Sequence, residues 1–259
     1  GDHRALHSFP TRRSSDLPMV VANWKMNTRA SDAYILATSV RNAVSEVEGI
    51  EVVICPPMPW LSELSEILKR DGRVSAGAQN MYFEPEGAFT GEVSPLMIRD
   101  IAKYVIVGHS ERRSYFHESD MIVNEKVLAA IKYGIIPIVC VGERHKGEAI
   151  DEAVRQLTEA LERVPKNRFD DIVVAYEPSW AIGGGDSAPL LHAVHAITKL
   201  REVVGPKTPI LYGGSVNEED VRNFAFEQTI DGVLVGSASL RIDSFVKICK
   251  IWSEGKSFK

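Results

Sequence analysis

Cysteine is scarce. There are three in 259 residues, Cys55, Cys140 and Cys249, each inside an apolar stretch. An odd, sparse count argues against a disulfide framework and fits a reducing cytosol. Basic charge is in deficit as well: 30 Lys and Arg stand against 35 Asp and Glu, a formal net charge of −5. No general positive field therefore favours nucleic acid or an anionic membrane. No apolar run approaches the roughly 20 residues that a membrane helix needs. Chemical signatures are missing too. Where a GxGxxG would follow the first apolar run, Asn23-Trp-Lys-Met-Asn27 stands instead, which argues against an open dinucleotide-binding sheet. Ser110 lacks a G-x-S-x-G setting, and no second His or Cys sits at ligand spacing from His109, so serine hydrolase chemistry and a metal site are both disfavoured. No motif suggests a metal, nucleotide or redox cofactor.

What is present is a chain that is 44% hydrophobic and long enough to bury a large core. Gly1–Leu17 stands apart: it has no apolar periodicity, carries Arg4, Arg12 and Arg13, and lacks a secretory apolar core. His7-Ser-Phe-Pro-Thr-Arg-Arg-Ser-Ser-Asp-Leu17 reads, residue for residue, as the translation of a common sequencing adapter. The expectation is a non-native, disordered leader over 1–17 and one domain over 18–259, with the natural leading residues of the first strand lost.

From Met19 onward, branched apolar runs alternate with amphipathic stretches. Strands are predicted at Met19–Asn23, Glu51–Cys55, Val74–Ala78, Tyr104–Val107, Ile136–Val141, Ile172–Tyr176, Pro209–Tyr212 and Gly232–Val235. Helices are predicted between them at Ser31–Val47, Pro59–Lys69, Ser94–Ala102, Met121–Tyr133, Ala149–Val164, Pro189–Val204, Glu218–Glu227 and Leu240–Trp252, with Ser94 and Asp120 as N-caps. The strands are apolar nearly throughout, as strands covered on both faces must be. Eight strand–helix pairs without a linker predict a single-domain α/β fold, the closed (β/α)8 TIM barrel, with chemistry on the loops after the strands.

Inspecting those loops in turn gives a constellation. Lys25, after strand 1, can aim a fixed positive charge at an anionic substrate, or be a solvated surface lysine. Gly87-Ala-Phe-Thr-Gly-Glu92, after strand 3, exposes Phe89 at its tip unless the loop docks onto another subunit or folds back on its own barrel. His109, after strand 4, can be held neutral by local backbone donors, or simply cap a helix. Glu111 and Arg112 can form a supporting charge pair. Strand 6 runs into Glu177-Pro-Ser-Trp-Ala-Ile-Gly-Gly-Gly185, a carboxylate followed by a hinged apolar tip, which suggests a base beneath a lid. The plainer reading is a strand ending in a polar loop. Tyr212-Gly-Gly-Ser-Val216 and Val235-Gly-Ser-Ala-Ser239 are paired glycine turns that expose N–H groups where barrels bind phosphate, with Ser215 and Ser237 adding hydroxyls. A base, a neutral electrophile, a cation and a phosphate cradle on one rim suit proton abstraction beside a carbonyl.

The motifs Asn-Trp-Lys-Met-Asn (23–27), Ala-Gln-Asn (78–80), Gly-Ala-Phe-Thr-Gly-Glu (87–92), Val-Gly-His-Ser-Glu-Arg-Arg (107–113), Pro-Ile-Val-Cys-Val-Gly-Glu (137–143), Ala-Tyr-Glu-Pro-x-Trp-Ala-Ile-Gly (175–183), Tyr-Gly-Gly-Ser-Val (212–216) and Asp-Gly-x-Leu-Val-Gly (231–236) occur in an order and spacing that resemble the triosephosphate isomerase family over Met19–Lys259. The resemblance implies a cytoplasmic, cofactor-free enzyme of glycolysis and gluconeogenesis. Its substrate would be a small phosphorylated triose, dihydroxyacetone phosphate interconverting with D-glyceraldehyde 3-phosphate. Glu177 would shuttle the proton through an enediol(ate), His109 would polarise the carbonyl, and Lys25 would stabilise negative charge. Asn23 and Glu111 would support substrate and lysine, and Gly183, Ser215, Gly236 and Ser237 would hold the phosphate. Thr90 would insert beside the neighbouring subunit's Asn27 and Lys25, implying a homodimer. Two departures bear on function. The lid carries Gly183-Gly-Gly-Asp186 in place of the family's Gly-Thr-Gly-Lys, which predicts a slower or less populated closed lid. The last phosphate turn carries Gly236-Ser237 in place of Gly-Gly, acceptable if the serine's backbone angles are tolerated. The rival readings are another sugar-phosphate barrel enzyme and a catalytically silent relative.

Overall fold

Residues 19–23 are buried without exception, and the other strands around the ring are buried except at Ser75 and Ile136, which are half-buried. In the computed structural model, which describes residues 17–182 and 187–256, eight parallel strands close on one another in chain order. They are β1 (Met19–Asn23), β2 (Glu51–Cys55), β3 (Val74–Ala78), β4 (Tyr104–Val107), β5 (Ile136–Val141), β6 (Val173–Tyr176), β7 (Ile210–Tyr212) and β8 (Gly232–Val235). β1 pairs with β2 over Met19↔Glu51 to Asn23↔Cys55 and with β8 over Met19↔Gly232 to Ala22↔Val235, so the first strand is paired on both edges. The predicted barrel is the observed one. β6 and β7 each start one residue later than predicted.

Alternation within each strand builds two cores. Met19, Val21, Val53, Cys55, Tyr104, Ile106, Ile138, Cys140, Val173, Ala175, Leu211 and Leu234 pack together, while their neighbours Val20, Ala22, Val52, Ile54, Val105, Val139 and Val174 pack with the helices. Strand residues point alternately to the two faces, so the first set fills the barrel and the second meets the surrounding layer. This is why the strands read as unbroken apolar runs rather than alternating ones.

The outer layer consists of α1 (Ala30–Val44), α2 (Met58–Leu68), α3 (Pro95–Ile98), α4 (Ser110–Tyr115), α5 (Asp120–Lys132), α6 (Asp151–Ala160), α7 (Leu190–Val204), α8 (Val221–Ala225) and α9 (Ile242–Lys256). Ser94 caps α3 as predicted, its Oγ accepting from Met97 N at 3.3 Å. The expected cap at Asp120 is corrected to Ser119, whose Oγ accepts from Ile122 N. Asp120 instead lies in the first turn, where its carboxylate meets Arg113 and Arg155. α8 is shorter than the predicted Glu218–Glu227: a turn over 218–220 precedes it, in which Asn217 Oδ1 accepts from both Glu219 N (2.8 Å) and Asp220 N (3.0 Å). Those donors belong to a first turn and have no acceptor within the helix, so the side chain satisfies them.

Candidate active site

The site lies at the C-terminal ends of the strands, where each side chain is held by a local device. Lys25 takes φ = 52°, one of four non-glycine residues with positive φ among those described. A bulky residue held there is costly unless its surroundings enforce it. Here they do: Lys25 N donates to Asn23 Oδ1 at 3.0 Å, and Gln79 Nε2 donates to Lys25 O at 2.9 Å. The result aims Lys25 Nζ at Glu111 Oε1, 2.7 Å away. Glu111 therefore pairs with the lysine and not with Arg112, correcting the expected Glu111–Arg112 pair. Arg112 turns to Glu118 and stacks its guanidinium over Phe116.

His109 caps α4 and is 6% exposed. Its Nδ1 accepts from the Glu111 N–H at 3.2 Å, the local backbone donor that the sequence suggested. An imidazole that accepts at Nδ1 carries its hydrogen on Nε2. That nitrogen lies 3.3 Å from Glu177 Oε1.

Glu177 is 1% exposed. Its Oε2 accepts from Ser110 N at 3.0 Å, and its own N donates to Val141 O at 2.7 Å. Oε1 has no well-formed hydrogen bond among the described residues, although His109 faces it. A buried carboxylate oxygen left so incompletely satisfied departs from the rule for structural groups. Two glycines make room for Glu177, Gly142 for its main chain and Gly213 for its side chain. A Cβ on Gly142 would lie 2.0 Å from Glu177 O, and one on Gly213 would lie 2.9 Å from Glu177 Cγ. Beneath the carboxylate, burial first and the Glu177 charge second push the Cys140 thiol well above its ordinary range. It stays a neutral thiol.

The turn that carries Glu177 is clamped by a residue that the sequence reading did not single out. Glu143 is fully buried; its carboxylate accepts from Tyr176 OH at 2.8 Å and its main-chain oxygen accepts from Ser179 N at 2.9 Å. Burial, then the Glu143 charge, pushes the Tyr176 phenol far above its usual range. Only its place at the end of the motif Pro-Ile-Val-Cys-Val-Gly-Glu (137–143) hinted at Glu143, and sequence alone gives no partner for it.

The two expected phosphate turns stand beside this group. Ser215 N is occupied, donating to Ala181 O at 3.0 Å, so a contact at Ser215 falls to its hydroxyl. Gly236 leads into a 3-10 turn over Ser237–Leu240, and Ser237 is exposed with no positive φ. Serine is therefore accommodated there. A Cβ on Gly236 would touch Lys25 Cε at 3.4 Å, which places the lysine stem against this turn. Gly183, and the expected lid departure through Asp186, lie outside the described residues. Asn27 Nδ2 donates to Trp24 O at 2.6 Å. Thr90 sits in the exposed 87–92 loop, where Phe89 packs on Tyr82 with ring centres 4.6 Å apart.

The triosephosphate isomerase family model matches residues 18–252. The chain belongs to the triosephosphate isomerase family. It is 43% identical over 244 residues to the triosephosphate isomerase of Dehalococcoides mccartyi strain CBDB1, covering 90% of this chain and 95% of that protein. The same named protein of Dictyoglomus thermophilum is 42% identical over 245 residues, covering 90% and 98%. That of Chloroflexus aurantiacus is also 42% identical, with the same coverage.

Proposed function

We infer that the chain is a triosephosphate isomerase that interconverts dihydroxyacetone phosphate and D-glyceraldehyde 3-phosphate, a step of glycolysis and gluconeogenesis. The observation that carries the assignment of residues is the buried Glu177 carboxylate, whose free Oε1 faces His109 Nε2 at 3.3 Å. With a substrate carbonyl between these groups, Glu177 takes the proton from the carbon next to it and returns it to the neighbouring carbon. His109 Nε2–H donates to the oxygen on which charge develops, and Lys25 stabilises that charge across the site. Asn23 and Glu111 act by fixing Lys25. Gly183, the Ser215 hydroxyl, Gly236 and Ser237 are assigned to the phosphate. Water exclusion around the base strengthens each of these terms and protects an enediolate from losing phosphate.

A coupled assay of glyceraldehyde 3-phosphate isomerisation, run beside Glu177→Asp, tests the reading. Shortening the base by one methylene withdraws the carboxylate by roughly 1 Å, and a misplacement of that size costs on the order of a hundredfold in rate. kcat falls while KM is kept. A folded, phosphate-binding parent without turnover would favour the silent relative instead.

The proposed assembly is a homodimer in which Thr90 inserts beside the partner's Asn27 and Lys25. Supporting it, Met26 is 98% exposed and Met97 63%, and Phe89 is exposed in the same loop as Thr90, large apolar side chains that a partner would cover. Sedimentation analysis distinguishes a dimer from a monomer. The proposed location is the cytoplasm, in keeping with three buried, unpaired cysteines. No described helix is long and apolar enough to cross a membrane. Residues 1–17 are assigned to a non-native leader, which the start of the family match at residue 18 supports; the intact mass of the native protein checks it.

A further inference from the structure

Glu143 is a carboxylate with no exposure, and among the described residues no lysine or arginine pairs with it. Its compensation comes from Tyr176 OH, at 2.8 and 3.1 Å from the two carboxylate oxygens. A tyrosine has one hydroxyl proton, and a carboxylate can only accept it. The lone pairs of the Tyr176 oxygen then face His192 Nε2, 2.9 Å away. Since the phenol proton is already committed, His192 Nε2–H must be the donor to the Tyr176 oxygen. The same nitrogen lies 3.6 Å from Glu143 Oε1, and the imidazole meets the Trp180 ring edge-on with centroids 5.6 Å apart. A chain of donors therefore runs His192 Nε2–H to Tyr176 O–H to Glu143.

That chain ends on the segment bearing the proposed base. Tyr176 precedes Glu177, and Ser179, held by Glu143 O, follows it by two. Glu143 thus grips both sides of Glu177-Pro178, and His192 orients the phenol through which the grip on the near side acts. His192 itself projects from the first turn of α7, an element that touches neither His109 nor Lys25 through any of the contacts described above. It ties the chain beyond Asp186 to the strand end that carries the base.

We propose that His192 is a positioning residue for Glu177, acting through Tyr176 and Glu143. Removing its donor frees the phenol to rotate and leaves the buried carboxylate with less compensation, and the Glu177 turn loses one of its restraints. The proposal rests on Glu177 being the base.

The test compares three variants of the full chain in the coupled isomerisation assay, with thermal unfolding measured on each. His192→Phe keeps a ring against Trp180 but has no donor. His192→Gln restores an amide N–H near the Nε2 position. Tyr176→Phe removes the intermediate hydroxyl. On the scale where about 1 Å of misplacement costs on the order of a hundredfold, His192→Phe lowers kcat about tenfold. KM stays within about twofold, because the loss is confined to the transition state. His192→Gln recovers most of the loss, and His192→Phe combined with Tyr176→Phe is no worse than Tyr176→Phe alone. A wild-type kcat in His192→Phe overturns the proposal. So does an equal loss in His192→Phe and His192→Gln, or a fall in unfolding temperature with kcat unchanged. Glu177→Asp separates the two readings: if it keeps wild-type turnover, the base is misassigned; if it collapses while His192→Phe is unaffected, only the role of His192 fails.

Discussion

Gly213→Ala puts one carbon where the proposed base has to sit. Gly213 does not take a positive φ, so alanine meets no backbone penalty and the whole effect comes from the new Cβ. That carbon would lie 2.9 Å from Glu177 Cγ, 3.6 Å from Oε1 and 3.4 Å from Tyr176 O. Carbon atoms rest about 3.5–4.0 Å apart at their optimum, so Cγ must retreat by roughly 0.5–1 Å. The main chain cannot absorb this, because Glu177 N is bonded to Val141 O at 2.7 Å and Gly213 N to Tyr176 O at 2.8 Å. The side chain therefore moves, and with it the carboxylate facing His109. A retreat of this size lowers kcat by about 10- to 100-fold, given that about 1 Å costs on the order of a hundredfold. Overpacking of this kind costs about 1–3 kcal/mol, a drop of about 2–12 °C in Tm for a domain of this size. The assay is kcat and KM at 25 °C, with circular dichroism to show that the variant is folded. A folded Gly213→Ala enzyme with wild-type kcat would refute the argument that Glu177 needs this exact packing space.

Two further outcomes follow from other contacts. Lys25→Ala removes the charge 2.7 Å from Glu111 Oε1. By analogy with the loss of one donor to a developing oxyanion, kcat/KM falls about 10²–10³-fold, checked by the same assay; an unchanged value would mean the lysine serves only its own loop. On α6, the hydrogen bond from Arg155 holds the Glu152 carboxyl at about 2, below its ordinary 4.5. A depressed carboxyl contributes stability above its unfolded value, lost as pH falls through its folded one. Arg155 is 47% exposed, so solvent screening limits the pair to about 1 kcal/mol or less. Glu152→Gln accordingly lowers Tm slightly at pH 7, and the gap from wild type narrows between pH 4.5 and 2 and vanishes below. A gap that persists at the acid end would locate the effect in packing.

Most of the barrel could be read from the chain because burial on both faces leaves a simple mark. Val20 to Ala22 or Val105 to Val107 face either the barrel interior or the helices, so no polar residue interrupts them. Strand boundaries at Pro209 and Ile172 slipped by one because apolar character continues past the first paired residues, Ile210 and Val173. Helix ends were harder. Ser119 and Asp120 are both good caps by type, and only the competing Arg113 and Arg155 decide which oxygen is free to cap. The positions of Glu177, His109 and Lys25 were legible as strand ends followed by short polar stretches. Their partners were not. Whether Glu111 meets Arg112 or Lys25 depends on the φ of Lys25, and nothing in the residue order states that angle. The Glu143–Tyr176–His192 chain joins the loop after β5, the end of β6 and the first turn of α7, and residue order alone does not pair them.

That closure also has a consequence during synthesis. β1 finds its second neighbour in β8, the last strand to be made, with Met19 opposite Gly232. Until β8 emerges from the ribosome, β1 presents an unpaired edge of the kind that recruits foreign strands, and the longest-range contact of the fold cannot form. The Lys25 stem rests against the turn at Gly236 that follows this last strand. A nascent chain can therefore carry every one of the residues from Lys25 to Ser215 and still lack an assembled site, so truncated products are inert and exposed to aggregation and proteolysis.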